Sequence, residues 1–84
     1  MGCCYKAIGD QTRRKILALL SNGEMAAGDI AKMFNTSQPT VSNHLKILKE
    51  ANLIQERRHK QNRYYTLNRR ELRGIIGELS KILG

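Results

Sequence analysis

Three times in the first 51 residues the apolar positions recur in steps of three and four, the period of a helix with one buried face. Ile16, Leu17 and Leu20 predict a helix over 11–21. Asp10 stands before it as an N-cap, its carboxylate at the positive end of the helix dipole, and Asn22-Gly23 ends it. Met25-Ala26-Ala27-Gly28 opens a shorter helix, about 27–34, on which Ile30, Ala31 and Phe34 share a face. After an Asn35-Thr36 turn, Ser37 is a good N-cap, and Pro39 falls in the first turn, where a missing N–H costs little. Val41, Leu45 and Leu48 then mark the buried stripe of a helix over 38–51, closed by Asn52.

The period changes beyond that point. Leu53 to Arg58 and Arg63 to Leu67 are short extended runs, joined by the polar, basic connection His59-Lys60-Gln61-Asn62 with Asn62 as the turn residue. They predict a hairpin over 53–67. Helical spacing returns in 69–83, where Leu72, Ile75, Ile76, Leu79, Ile82 and Leu83 form one stripe, weakened slightly by Gly74 and Gly77. Tyr5-Lys6-Ala7-Ile8 suggests a further short helix over 3–8. The expected architecture is mainly α with a small β-hairpin: a winged helix-turn-helix in one domain spanning 1–84.

The face of the 38–51 helix opposite its apolar stripe is informative. A rotation of 100° per residue puts Pro39, Asn43 and Lys46 there, with Thr40 and Ser42 on the flanks and Gln38 projecting from the N-terminal end. Asn and Gln pair bidentately with adenine, Ser and Thr hydroxyls bond donors or acceptors, and Lys neutralises phosphate. Gln38, Pro39, Thr40, Ser42 and Asn43 are therefore the candidate base contacts, and Ser37 and Lys46 candidate backbone contacts. The bland alternative is the solvated side of an amphipathic helix. It explains any one of these residues as well, but not the agreement of cap, spacing and adjacent charge. Arg57, Arg58, Lys60, Gln61 and Arg63 cluster around the hairpin tip as candidate wing contacts to DNA, against the alternative of an edge ribbon kept soluble by charge.

Charge strengthens the nucleic-acid reading. Fifteen Lys plus Arg against seven Asp plus Glu give +8 in 84 residues. Residues 36–70 hold eight of the bases (Lys46, Lys49, Arg57, Arg58, Lys60, Arg63, Arg69, Arg70) but only the acids Glu50 and Glu56. A strongly basic face attracts polyanions. A chain this short buries only about 60–65% of its unfolded surface, so a second copy that covers apolar side chains is an expected remedy. No apolar run approaches the ~20 residues of a membrane span. Lys6 stands where a myristoylation pattern wants Ser or Thr. The expected compartment is the cytoplasm, without membrane insertion.

The run Ser37-Gln38-Pro39-Thr40-Val41-Ser42-Asn43-His44-Leu45-Lys46-Ile47-Leu48-Lys49-Glu50-Ala51-Asn52-Leu53-Ile54 resembles the helix-turn-helix signature of the ArsR/SmtB family of bacterial repressors. Asp10-Gln11-Thr12-Arg13-Arg14-Lys15-Ile16-Leu17 is similar to that family's opening helix, and Arg63-Tyr64-Tyr65-Thr66-Leu67 to its second wing strand. The likeness covers roughly residues 7–68 and is nearest to the short autorepressor members. It departs at Gln11, where the family usually has Pro, and at Asn52, which replaces a common Gly. The resemblance implies a homodimer on an inverted-repeat operator, with the last helix pairing against the partner's first. Tyr5, Ile8, Leu72, Ile75, Ile76, Leu79, Ile82 and Leu83 are then the candidate dimer residues.

Many members sense metals, yet neither implied site is present. Glu24 to Asp29, where the cysteine box would lie, has no Cys, and Arg69 to Leu83 has neither His nor Asp. No cofactor or metal is expected. Cys3 and Cys4 remain as candidate redox or metal residues. Two thiolates cannot complete a tetrahedral zinc site, although four across a dimer could. They are equally explained as small apolar residues near a terminus. His44 beside the buried stripe fits a hydrogen-bonded structural role, and His59 falls in the wing.

Three functions follow: a DNA-binding repressor released by a regulatory protein partner or by its own level, a thiol or metal sensor on the same scaffold, and a winged helix that binds RNA or protein. The third lacks spare aromatics for stacking, with three Tyr and one Phe in all. Catalysis is disfavoured by the lack of a carboxylate pair, a nucleophile with its base, or a phosphate loop.

Overall fold

The structure, a computed structural model, describes residues 2–83, and their side chains except those of residues 2–4, 79 and 83. The expectations for Cys3 and Cys4 and for the side chains of Leu79 and Leu83 thus lie outside the described residues. The chain runs α1 (Gly2–Ile8), α2 (Gln11–Leu20), β1 (Met25–Ala26), α3 (Ala27–Lys32), α4 (Gln38–Glu50), β2 (Ile54–His59), β3 (Asn62–Leu67) and α5 (Arg69–Leu83).

Local signals act as their chemistry dictates. The Arg13 amide donates to Asp10 Oδ2 at 3.0 Å, capping α2, and the Thr40 amide donates to Ser37 Oγ at 3.3 Å, capping α4. Asn52 takes φ 63, the left-handed position that stops α4 and that Asn tolerates. Its carbonyl accepts from Asn68 Nδ2 at 2.9 Å, which fastens the end of α4 to the start of α5.

Three features differ from expectation. The expected hairpin has a third strand, giving an antiparallel sheet in the order β1-β3-β2, with Met25 opposite Tyr65 and Ala26 opposite Tyr64. Met25 and Ala26 are therefore strand rather than the beginning of a helix, because the edge of β3 offers their backbone groups partners. The wing turn is Lys60-Gln61, with Lys60 at φ 58, while Asn62 pairs with His59 in the ladder. A two-residue hairpin turn takes positive φ at its first central position, and the register places Lys60 there. Finally, α3 stops at Lys32, leaving Met33 as its C-cap and Phe34 in the turn.

The core lies between α2, α3, α4 and the sheet, centred on Ile16, Leu20, Ile30, Leu45, Leu48, Leu53 and Ile54, each no more than 2% exposed. Helix α5 is different. Among its described residues only Ile75 is buried, Leu72 is half-buried, and Ile76 and Ile82 are 61% and 75% exposed. Its amphipathic face has little to pack against within one protomer. No helix among the described residues is long and apolar enough to cross a membrane.

Candidate nucleic-acid interface

Burial of Val41, Leu45 and Leu48 fixes the rotation of α4, and the rotation decides what it presents. Gln38, Pro39, Thr40, Asn43 and Lys46 are exposed and Ser42 is half-buried. One of these side chains, Thr40, is already engaged. The Ser37 and Thr40 hydroxyls lie 2.7 Å apart, so both belong to the cap that orders the helix N-terminus as well as to the surface it offers.

Strand alternation then decides which wing cations face α4. Pro39, Ser42, Asn43 and Lys46 line one side of a groove of about 400 Å³, and Lys49, Glu56, Arg58, Arg63 and Tyr65 complete it. Arg58, Lys60, Gln61, Asn62 and Arg63 surround a recess at the wing tip.

Arg57, expected with them, lies on the other face. Its guanidinium makes a two-pronged contact with Glu24, at 2.8 and 3.1 Å, and sits 4.8 Å from the centroid of the Tyr64 ring. Consecutive strand residues point to opposite sides, so Arg57 and Arg58 cannot both line the groove. The Arg57 hydrogen bond, and then its charge, hold the Glu24 carboxyl below its ordinary range.

Sequence reasoning missed Glu56, counted there only as a charge, together with Lys49 and Tyr65. Glu56 accepts from the Tyr65 hydroxyl at 2.8 Å and from Lys49 Nζ at 3.0 Å, with Arg58 Nε at 3.9 Å. These bonds hold its carboxyl below the usual range, Lys49 contributing most and Tyr65 next. Burial, reinforced by the bond to Glu56, pushes the Tyr65 phenol up to about 12. The available signal was period two: Ile54, Glu56 and Arg58 share a face.

Behind the interface, Arg13 joins three helices. Its Nε donates to the Ala7 carbonyl at 2.7 Å and its Nη2 to Lys6 at 3.1 Å, while Nη1 lies 3.4 Å from His44 Nδ1 on α4. Arg14 Nη1 donates to Ile8 O at 2.7 Å. Two cationic side chains thus satisfy carbonyls at the C-terminal end of α1, the negative end of its dipole. His44 also lies 3.9 Å from Asp10, whose carboxyl is held low chiefly by the Arg13 amide and then by the His44 charge. The Tyr5 hydroxyl donates to Glu78, tying α1 to α5.

Of the candidate dimer residues, Ile75 belongs to the protomer's own core. Tyr5, Ile8 and Leu72 pack partly against that core, and Ile76 and Ile82 stand free of it. Among the described residues, no three His, Cys, Asp or Glu come together as a metal would need.

Residues 10–56 match the family model described as bacterial regulatory protein, arsR family. The chain is 53% identical over 76 residues to the transcriptional repressor SdpR of Bacillus subtilis, covering 90% of this chain and 84% of that protein. It is 40% identical over 77 residues to an arsenical resistance operon repressor of Staphylococcus aureus, covering 92% and 74%. The solution structure of a homodimeric winged helix-turn-helix DNA-binding domain from Mycobacterium bovis superposes with a TM-score of 0.80 at 27% identity, over 98% of this chain and 76% of that one.

Proposed function

The chain belongs to the arsR family of bacterial regulatory proteins, regulators rather than enzymes, and on that premise we propose that it is a transcriptional repressor that binds an inverted-repeat operator as a homodimer and controls its own synthesis. Gln38, Asn43 and Ser42 read base edges in the major groove, with Pro39 in apolar contact and Thr40 shared between cap and base. Lys46, Arg58, Lys60, Gln61 and Arg63 meet the backbone, and the Ser37-capped amides of α4 receive a phosphate. Arg57 is left out of this set because its charge is spent on Glu24.

The observation that carries the reading is the single groove in which the exposed face of α4 and the inward cations of the wing converge. The exposed Ile76 and Ile82 on an otherwise sparsely packed α5 support dimerisation through that helix. Two-fold symmetry then sets the recognition helices about 34 Å apart, one turn of DNA. The M. bovis neighbour is itself homodimeric.

Fluorescence anisotropy of the reduced, metal-free protein on its own upstream DNA, with unrelated duplex as competitor, tests the proposal. Preference for the upstream DNA of at least ~10³-fold, falling steeply with salt, is the expected result. Equal binding to both duplexes refutes autorepression. Sedimentation that finds only monomer at micromolar concentration refutes the dimer.

A further inference from the structure

An acid in the middle of a DNA-facing groove needs a reason, since every other ionisable side chain facing it except the Tyr65 phenol is a cation: Lys46, Lys49, Arg58 and Arg63. Glu56 is no loose surface residue. Its side chain is 13% exposed, and the Tyr65 hydroxyl, on a residue only 4% exposed, holds one oxygen at 2.8 Å. The other oxygen takes Lys49 at 3.0 Å and lies 3.9 Å from Arg58. Satisfying the tyrosine needs only an acceptor, which a neutral amide also supplies. The negative charge does something more.

Resting on the DNA-binding reading above, we propose that Glu56 is a specificity-determining residue. It occupies Lys49, its 3.0 Å partner, so that this cation is not spent on the phosphates of DNA that fails to match α4, while Arg58, at 3.9 Å, stays available. Binding to unrelated sequence comes almost wholly from cation–phosphate pairing, whereas a matched site adds base contacts. A fixed carboxylate that competes for this groove cation therefore subtracts from the phosphate pairing on which unmatched DNA depends. It leaves the base contacts of Gln38, Ser42 and Asn43 untouched, because none of them bonds to it. Unmatched DNA is free to shift until its phosphates meet whatever cations are available, whereas base contacts fix the register of a matched site. A cation held back therefore costs unmatched binding more, and the difference between right and wrong sequence widens.

Glu56→Gln keeps the shape and an acceptor for Tyr65 but removes the charge. At about 0.15 M salt it is expected to bind unrelated duplex about two- to fivefold more tightly, the worth of an exposed ion pair released on each side. The log–log salt slope steepens by about 0.9 for each Lys49 freed, hence about 1.8 for a dimer with one in each protomer. Operator affinity rises less, so the ratio of operator to unrelated binding falls.

A companion measurement leaves Glu56 in place. Lys49→Gln changes the slope on unrelated DNA much less than Lys46→Gln, because Lys49 is already engaged. If Glu56→Gln leaves the slope and the ratio unchanged while only its melting temperature moves, the residue is structural and the proposal is wrong. Equal effects of Lys49→Gln and Lys46→Gln overturn it as well. Wild-type protein that shows no preference for any duplex defeats the DNA-binding reading itself, an outcome distinct from normal wild-type preference with an inert Glu56→Gln.

Discussion

Arg57 and Arg58 are neighbours of identical charge in one strand, yet alanine at each should change different properties. Arg58 lines the groove beside α4 with its side chain 72% exposed, while Arg57 is held by Glu24 and lies over Tyr64 on the opposite face. If each Arg58 meets one phosphate, Arg58→Ala removes two contacts from a dimer and flattens the log–log salt slope by about 1.8. Raising salt from 50 to 200 mM then costs the variant about tenfold less affinity than it costs the wild type. Its melting temperature should hold, because Arg58 makes only a 3.9 Å contact to Glu56. Arg57→Ala should do the reverse. Loss of the two-pronged Glu24 contact and the ring contact lowers the melting temperature modestly, the pair being exposed and screened, while the slope moves by less than half a contact. Anisotropy titrations at four salt concentrations, run beside thermal melts, measure both. Equal slope changes in the two variants would falsify the assignment of faces.

Other substitutions and conditions separate the remaining parts of the structure. Ile16 is fully buried between α2 and the rest of the core, so Ile16→Ala should cost about 2–5 kcal/mol in urea unfolding at fixed protein concentration. Ser37→Ala should cost about 1 kcal/mol through the lost cap, whereas Ser37→Asp keeps a cap but sets a negative charge at the phosphate-facing end of α4, so stability holds while DNA affinity drops. In acid, Asp10, Glu24 and Glu56 have folded pKa values below their ordinary ones, so the unfolded chain binds more protons. Their contribution is complete above about pH 5 and is lost as pH falls through the folded values, a decline that Glu56→Gln should shrink in melts below pH 5. In alkali the sign reverses. The Tyr65 phenol ionises at about 12 rather than 10.0, so stability declines as pH rises from 10 to 12, and Tyr65→Phe should abolish both that decline and the late rise in tyrosinate absorbance.

Helices α2 and α4 were legible because each combines a cap with a repeated apolar spacing, Asp10 with Ile16 and Leu20, and Ser37 with Val41, Leu45 and Leu48. The strand Met25–Ala26 was not, since two residues carry no period and their extended shape is imposed by the free edge of β3, a contact across 40 and 38 residues of sequence. The wing cations were legible as a cluster but not as two faces. That sorting depends on register, and the register turns on Lys60 adopting a left-handed conformation that its side chain does not advertise. Glu56 was hidden for a related reason. Its partners Lys49 and Tyr65 lie seven and nine residues away on other elements, so only the folded sheet brings the three together.

The short strand β1 also decides where the molecule is able to flex. It enters α3 without a linker and pairs with Tyr64 and Tyr65 on the strand that carries the wing. Reading head and wing therefore share one frame, and neither swings without the other. The least packed joint lies past Asn68, where α5, held by Ile75 and by the Arg69–Ser21 and Tyr5–Glu78 contacts, has few packed neighbours otherwise. One base pair inserted between half-sites turns the second site by about 34–36° around the DNA axis. In the proposed dimer, joined through α5, that change would be met at the joint, while a changed base inside a half-site would be met on α4. On that proposal, selection for operator spacing and selection for operator sequence would fall on different segments of the same short chain.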